Sequence, residues 1–450
     1  MISIRTRNFA IAVIANVATI LLAIVITGRY EDIQAQSDVY GVIRQSGETV
    51  SRLNIAVSDF KMDRRPQSKG EDTLTYQLKR SIEKGLEFSL YFNVVSNDSS
   101  LTSLIGKRDF NYDDWIYLGA EHLIGGTFHT DGKQFGLDLE ISDVPRGKVI
   151  YRDDLKSSQE SIKELSFKVV DRIIYILTGE QGIARSKIIF SFVKGIGKEL
   201  AICNWDGSRL ITLTNNNSLN LFPTASPSGQ EIYFTSYIRG NPDLYKLDLF
   251  SRSISPISAR KGINSSAAVS PDGKYIALIL SVDSDAELYL LDRNGKMVRR
   301  ITKSWGIESS PAFSPSGKEI VFSSDRSGAI QLYITDIEGL NQRRLTYNGN
   351  YNDTPSWSPK GDLITYASRE GGRFQIYTIP ITGENPQRLT SLGNNQDPCF
   401  SPDGLHICFV SDRSGSNEIY IMNFDGSLQD KISSVKNAYN PCWVPSSDKD

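Results

Sequence analysis

Histidine is scarce in this 450-residue chain, where His122, His129 and His406 are the only three. Imidazole titrates near neutral pH and is the commonest metal ligand, so three scattered copies argue against His-based acid–base or zinc chemistry. His122 and His129 flank "LIGGTF" at a separation of seven, not a usual ligand spacing, and His406, after a turn, is expected at the surface. A charge excess is also missing. Fifty Lys plus Arg against fifty-two Asp plus Glu leave a net −2, a field that draws in neither nucleic acid nor anionic lipid. No Gly-x-Ser-x-Gly elbow occurs, and "KGIGK" (194–198) lacks the full glycine pattern of a phosphate loop. No catalytic residue, cofactor or metal is therefore expected.

Long apolar runs are absent beyond residue 27. The one run, Phe9 to Thr27 behind Arg5 and Arg7, reads as an export signal over residues 1–35, with a cut near Ala35. Its length approaches the roughly 20 residues that cross a bilayer, which leaves an uncleaved anchor as the alternative. Either way the remainder lies outside the cytoplasm. Cysteine is rare too. Of the four, Cys399 and Cys408 flank a tight turn where a disulfide would be strained, so small buried thiols are the preferred reading. At this length two domains are expected, because single cores stop growing at roughly 250–300 residues.

What the chain does contain is a repeat. "TASPSG", "AVSPDG", "AFSPSG", "SWSPKG", "CFSPDG" and a worn "CWVPSS" centre on Ser226, Ser270, Ser314, Ser358, Ser401 and Val444, at intervals of 44, 44, 44, 43 and 43. After each full turn comes an alternating strand, a loop ("DRSGAI", "REGGRF", "DRSGSN"), a second strand, a Gly-ending turn and a short strand closing in "RIT" or "RLT". Period-two runs with such punctuation predict four antiparallel strands per unit, one propeller blade. A proline stands three residues ahead of the motif position at 223, 311, 355, 398 and 441, with Ala267 the exception. A strand that accepts proline there has one unpaired edge, as the innermost strand of a blade does.

The count closes on itself. Residues 186–214 supply the outer three strands of a blade with no inner strand before them, and "NPCWVP" supplies an inner strand with nothing after it. The predicted architecture is an α+β N-terminal domain (50–180) followed by an all-β six-bladed β-propeller (181–445) closed by the C-terminal strand. A flexible segment (36–49) precedes it and a tail (446–450) follows. In the front domain, "RLNIAVSDF" and "YFNVVS" read as strands. Leu74, Leu78, Ile82 and Leu86 form one helical stripe, and Ile162, Leu165, Val169, Ile173 and Ile176 another that stops at Gly179. Hairpin turns are expected at Asp131-Gly132 and Arg146-Gly147.

Strand direction gathers the Ser-Pro-x-Gly turns on one face, where the front domain joins the ring, and leaves the other face uncovered. On that open face the channel rim is expected to carry Ser265, Ser266, Ser309, Ser310, Asn352, Asp353, Gln396, Asp397 and Asn440. The Asp-Arg-Ser-Gly loops at Asp325 and Asp412 read as solvated turns.

The layout resembles the TolB family of the Tol-Pal envelope system of Gram-negative bacteria. The resemblance rests on the "FSPDG" repeats together with "YGVIRQSGE", "LNIAVSDF", "WIYLGAEHLIGGTF" with its "DGK" hairpin, and "YILTGEQGIARSKIIF". It implies a non-enzymatic, monomeric periplasmic scaffold that binds the lipoprotein Pal at the channel mouth and supports outer-membrane integrity and cell division. It further implies that the N-terminal segment, through Tyr40, Val42, Ile43, Ser46 and Gly47, reaches TolA, with other outer-membrane proteins as further candidates. Neither nucleic acid nor, once the signal is cut, the membrane itself is implied as a partner. The alternatives are a lyase or peptidase acting in the channel, and a generic periplasmic binding propeller.

Overall fold

The computed structural model describes residues 52–63, 71–95, 111–130, 134–158, 161–283 and 285–447. The expected signal, the TolA-reaching segment and the Asp131-Gly132 turn lie outside them. The chain divides into two compact units after Glu180.

The first unit is built on a sheet of β1 (Leu53–Val57), β2 (Lys61–Met62), β3 (Phe92–Val95), β4 (His122–Thr130), β5 (Phe135–Asp143) and β6 (Lys148–Lys156), in the order β3-β1-β4-β5-β6 with β2 also on β4. Helix α1 (Glu71–Phe88) buries Leu78, Ile82 and Leu86 completely, and α3 (Ile162–Thr178) does the same with Leu165, Val169 and Ile173. The two expected stripes thus face a common core. The helices approach so closely that a Cβ on Gly85 would come within 2.8 Å of Val170 Cγ2. Between β3 and β4, α2 (Tyr112–Tyr117) starts at a reciprocal cap in which Asn111 and Asp114 each satisfy the other's backbone N–H. Gly179 ends α3 at φ 75°, its N–H donating to the Tyr175 carbonyl, a left-handed stop that glycine adopts without Cβ strain.

The second unit is a ring of six four-stranded antiparallel sheets. Five are sequential in the chain. The sixth joins Ala438–Val444 to the strands from Lys187, with Lys187 opposite Val444, Ile188 opposite Trp443 and Ile189 opposite Cys442. This is the closure that the orphaned strand pattern demands. Apolar residues of each blade's middle strands meet those of the next: Ile189, Leu200, Ile232, Phe234 and Leu247 form one such layer, with Val444 of the closing strand inside it. Cys399 and Cys408 are opposite one another in the ladder and both are free thiols.

One sequence expectation fails here. His406 is fully buried, not at the surface: it opens a blade's second strand, its N–H donates to Ser401 Oγ at 2.9 Å, and Nδ1 lies 3.8 Å from Asp403 Oδ1. The Asp-Arg-Ser-Gly loops are turns with solvent-exposed tips, as expected, and their aspartates fasten neighbouring loops as well. Asp325 Oδ1 accepts from Ile307 N–H, and Asp412 Oδ1 accepts from Asn394 N–H, each at 2.7 Å. Their neighbours Arg326 and Arg413 each span three partners, among them Glu308 and Asn395 at the start of inner strands.

Candidate binding face at the channel mouth

All six inner strands carry the same distortion. In each, the pairing register shifts between the residues five and two ahead of the motif position, so one extra residue bulges out of the ladder. The residue four ahead takes a left-handed backbone: Phe222, Ser266, Ser310, Thr354, Asp397 and Asn440 have φ between 50° and 54°. An inner strand has no partner on its channel side, which is why a bulge followed by proline is tolerated there. Asn and Asp accept this conformation readily, whereas for Phe222 and Thr354 it costs about 1–2 kcal/mol. Strain repeated at one ring of positions makes that ring a candidate functional surface. These six residues line a central cavity of about 300 Å³.

The ring is electrically uneven. Asn440 donates its backbone N–H (3.1 Å) and Nδ2 (2.8 Å) to Asp397 Oδ2, tying two neighbouring blades together. Burial, with nearby Asp353, pushes the Asp397 carboxyl up to about 6, against the hydrogen bonds from Asn440 and the charge of Lys198. Lys198 stands over the Tyr439 ring at 3.7 Å, its pKa drawn down by burial and held up by Asp397. Asp353 Oδ1 accepts from Thr354 N–H at 2.7 Å and from Ser309 Oγ at 3.5 Å. Opposite this acidic sector, Ser265 Oγ accepts from Thr235 Oγ1 at 3.2 Å.

Ser265, Ser309, Asp353 and Gln396 hold the position five ahead of the motif, and Ser266, Ser310, Asp397 and Asn440 the ring itself; all are half-buried at the mouth. Asn352 is different. It is buried inside the joint between blades, donating to Gln331 Oε1 at 2.9 Å and to the Asn348 carbonyl at 2.7 Å. Thr354 and Phe222, which sequence reasoning passed over, complete the ring; the fixed offset of four from the motif position would have identified both.

A second feature missed from sequence surrounds the mouth. The loops entering the inner strands, and those between second and third strands, present Ile196, Leu219, Ile263, Trp305, Tyr347 and Leu392 to solvent, one from each blade or blade joint, with Ile307 beside Trp305 and Trp305 76% exposed. Large apolar side chains exposed around a polar rim make this a candidate protein-binding face. The channel wall offers little chemistry: Cys399 is pushed up to about 12 by its contact with Cys408 and by burial, so the thiol stays protonated.

Comparison with known proteins is consistent along the chain. Residues 175–447 match the family model of the TolB beta propeller domain, and residues 41–150 that of the TolB amino-terminal domain. A Tol-Pal system protein TolB from Desulfosudis oleivorans is 33% identical over 183 residues, 40% of this chain and 42% of that protein. A protein TolB homolog from Chlorobium chlorochromatii is 31% identical over 225 residues, half of each chain. The matched stretches thus span half or less of these relatives' length. The crystal structure of TolB from Acinetobacter baumannii superposes with a TM-score of 0.74 at 23% identity, covering 90% of this chain and 99% of that one, which establishes likeness of fold.

Proposed function

Because the chain belongs to the TolB family, we propose that it is a non-enzymatic scaffold of the Tol-Pal system, acting in the periplasm and binding Pal at the channel mouth. The observation that supports this reading is the coincidence, on one face, of a strained and largely polar ring with exposed apolar side chains on the loops around it. Trp305 and Ile307 would supply the buried anchors of the complex, while Ser265, Ser266, Ser309, Ser310, Asp353, Gln396, Asp397 and Asn440 would give register and polar complementarity. Asn352 acts behind them by fixing the start of the strand that bears Asp353. The segment 36–48, with Tyr40, Val42, Ile43, Ser46 and Gly47, is proposed to reach TolA, so that one chain links the inner-membrane partner to the outer-membrane one. Support of outer-membrane integrity and constriction at division follows from that bridging role.

Titration calorimetry with a soluble Pal domain tests the reading. Binding is expected, weakened by Trp305→Ala at least about tenfold and by Ser309→Trp, with far-UV circular dichroism unchanged, since truncating a central aromatic anchor typically costs 2 kcal/mol or more. Absence of any complex with the unaltered protein would overturn the assignment. Deleting residues 36–48 should abolish TolA binding and leave a folded ring.

A further inference from the structure

On the channel-mouth side, five of the six joints between blades pair two polar side chains, one near the start of a third strand and one opening the next inner strand, while the sixth pairs Glu418 with Ala438. In four joints the second is asparagine. The Nδ2 groups of Asn220, Asn264, Asn352 and Asn395 donate to Glu199, Asp243, Gln331 and Gln375 at 3.2, 3.5, 2.9 and 3.0 Å. Each also donates to backbone carbonyls, such as Arg260 and Asn348 at 2.7 Å, four residues upstream of Asn264 and Asn352. The amide nitrogen therefore sits in a cradle made entirely of oxygens.

One joint breaks the pattern by placing glutamate at both positions, Glu287 and Glu308, and an ionised carboxylate has no proton to donate. Glu287 Oε1 accepts from Arg300 Nη2 (3.0 Å) and Ser304 N–H (2.7 Å). Glu308 Oε1 accepts from Arg326 Nη2 (2.6 Å) and Ser304 Oγ (2.7 Å). Ser304 thereby ties the two carboxylates to one another. Both side chains are 0% exposed, and Oε2 of each is buried without a hydrogen bond from any described residue. Such oxygens are costly to bury unless something positive meets them. The cluster also carries excess negative charge: Asp283 lies 3.3 Å from Arg300, so three carboxylates face two guanidinium groups.

We propose that this joint holds a hard, oxygen-seeking cation where four of the other joints hold an amide nitrogen, coordinated by Glu287 Oε2 and Glu308 Oε2. The Ser304 carbonyl, at the offset of the Arg260 and Asn348 carbonyls, is the third ligand. Carboxylate and carbonyl oxygens are the donors that calcium, magnesium and sodium take, with calcium the most tolerant of irregular geometry. The cation replaces a hydrogen-bond donor and locks one blade to the next, independently of the docking role of the face.

The test uses the full chain, stripped with chelator into choline chloride, with melting followed as CaCl2, MgCl2 or NaCl is added at constant ionic strength. The unaltered protein should gain roughly 5 °C at about a hundredfold excess of the preferred cation over its dissociation constant. Glu308→Asn, and the double variant Glu287→Gln/Glu308→Asn that copies the Gln331–Asn352 pair, should melt at or above the stripped parent and lose the response. Calorimetric titration of the unaltered protein with CaCl2 gives a readout that does not depend on the variants. Insensitivity to all three cations, or a response that survives Glu308→Asn, overturns the proposal. Stabilisation on lowering the pH from 7 to 5 without any cation effect assigns the gap to a shared proton and overturns it equally.

Discussion

At one end of each inner strand the Ser-Pro-x-Gly turns repeat their hydrogen bonds from blade to blade, while at the other end six left-handed residues repeat only their backbone angles. In all five full turns the motif serine N–H donates to the carbonyl five residues on, and the turn glycine N–H donates to the serine carbonyl, at 2.8–2.9 Å. Serine Oγ accepts from the N–H five residues on at Ser226, Ser270, Ser314 and Ser401. At the mouth the same φ is occupied by phenylalanine, two serines, threonine, aspartate and asparagine. A repeat protein keeps side chains constant where they hold the ring together. It holds the backbone alone constant where the side chains meet something else.

The largest test of that division removes the one strand that belongs to both chain ends. Deleting Tyr439 to Asp450 takes away buried Trp443 and Val444 and leaves the strand from Lys187 without its inner partner. The expected loss is about 5 kcal/mol or more from the apolar area alone, seen as a melting temperature lower by roughly 10 °C or as the loss of a single cooperative transition. An unchanged melt would break the ring as described.

At the turn end, Gly229 has φ 66° and a Cβ there would lie 2.0 Å from the Pro445 carbonyl, whereas Gly273, at φ 70°, has nothing within 4 Å of its Cβ position. Gly229→Ala should therefore destabilise by about 2–4 kcal/mol and Gly273→Ala by only about 1 kcal/mol. Denaturant midpoints compare them directly. Equal losses would show that backbone conformation alone, and not closure of the ring against the tail, governs this end.

At the mouth, Asp397 holds its proton more tightly in the fold than the unfolded chain does, with a carboxyl raised to about 6 from an unfolded value near about 3.9. The ionised form thus costs stability above pH 6, and the cost disappears below pH 4. Asp397→Asn keeps an oxygen to accept from Asn440 and tolerates the left-handed backbone. It should melt with the parent at pH 4 and be more stable at pH 8 by about 1–2 kcal/mol. A constant difference across that range would remove the buried charge as the cause.

The sequence made the ring legible because every blade buries the same faces, so Ser226, Ser270, Ser314, Ser358 and Ser401 recur at a nearly fixed interval. Closure was legible because strands near Lys187 lacked an inner partner and Tyr439–Val444 lacked an outer one. The mouth was only half legible. Offsets show which residues lie near the rim, and an offset of four held strictly in every blade would have put Thr354 in place of Asn352; the bulge itself leaves no separate mark in the sequence. The Asn–Gln contacts that bury Asn352 join residues about twenty apart on neighbouring blades, and no local pattern announces them. Exposure of Trp305 or Ile307 is equally silent, because loop residues carry no periodicity. His406 went inside because Ser401 and Asp403 supply polar neighbours within its own turn.

The smallest effect separates the two ends most cleanly, since it reverses the sign of a glycine substitution. Thr354 is β-branched, left-handed at φ 51°, and its buried Oγ1 has no hydrogen-bond partner among the described residues. Thr354→Gly relieves about 1–2 kcal/mol of backbone strain and gives back roughly 0.5–1 kcal/mol through the more flexible unfolded chain. The fold should gain up to about 1 kcal/mol, read as a melting temperature higher by a few degrees. On the proposed function, binding at the mouth should weaken in the same variant, because the left-handed backbone would set the docking geometry of the ring. A stabilised Thr354→Gly protein that binds Pal as well as the parent would reduce the left-handed ring to a consequence of strand curvature.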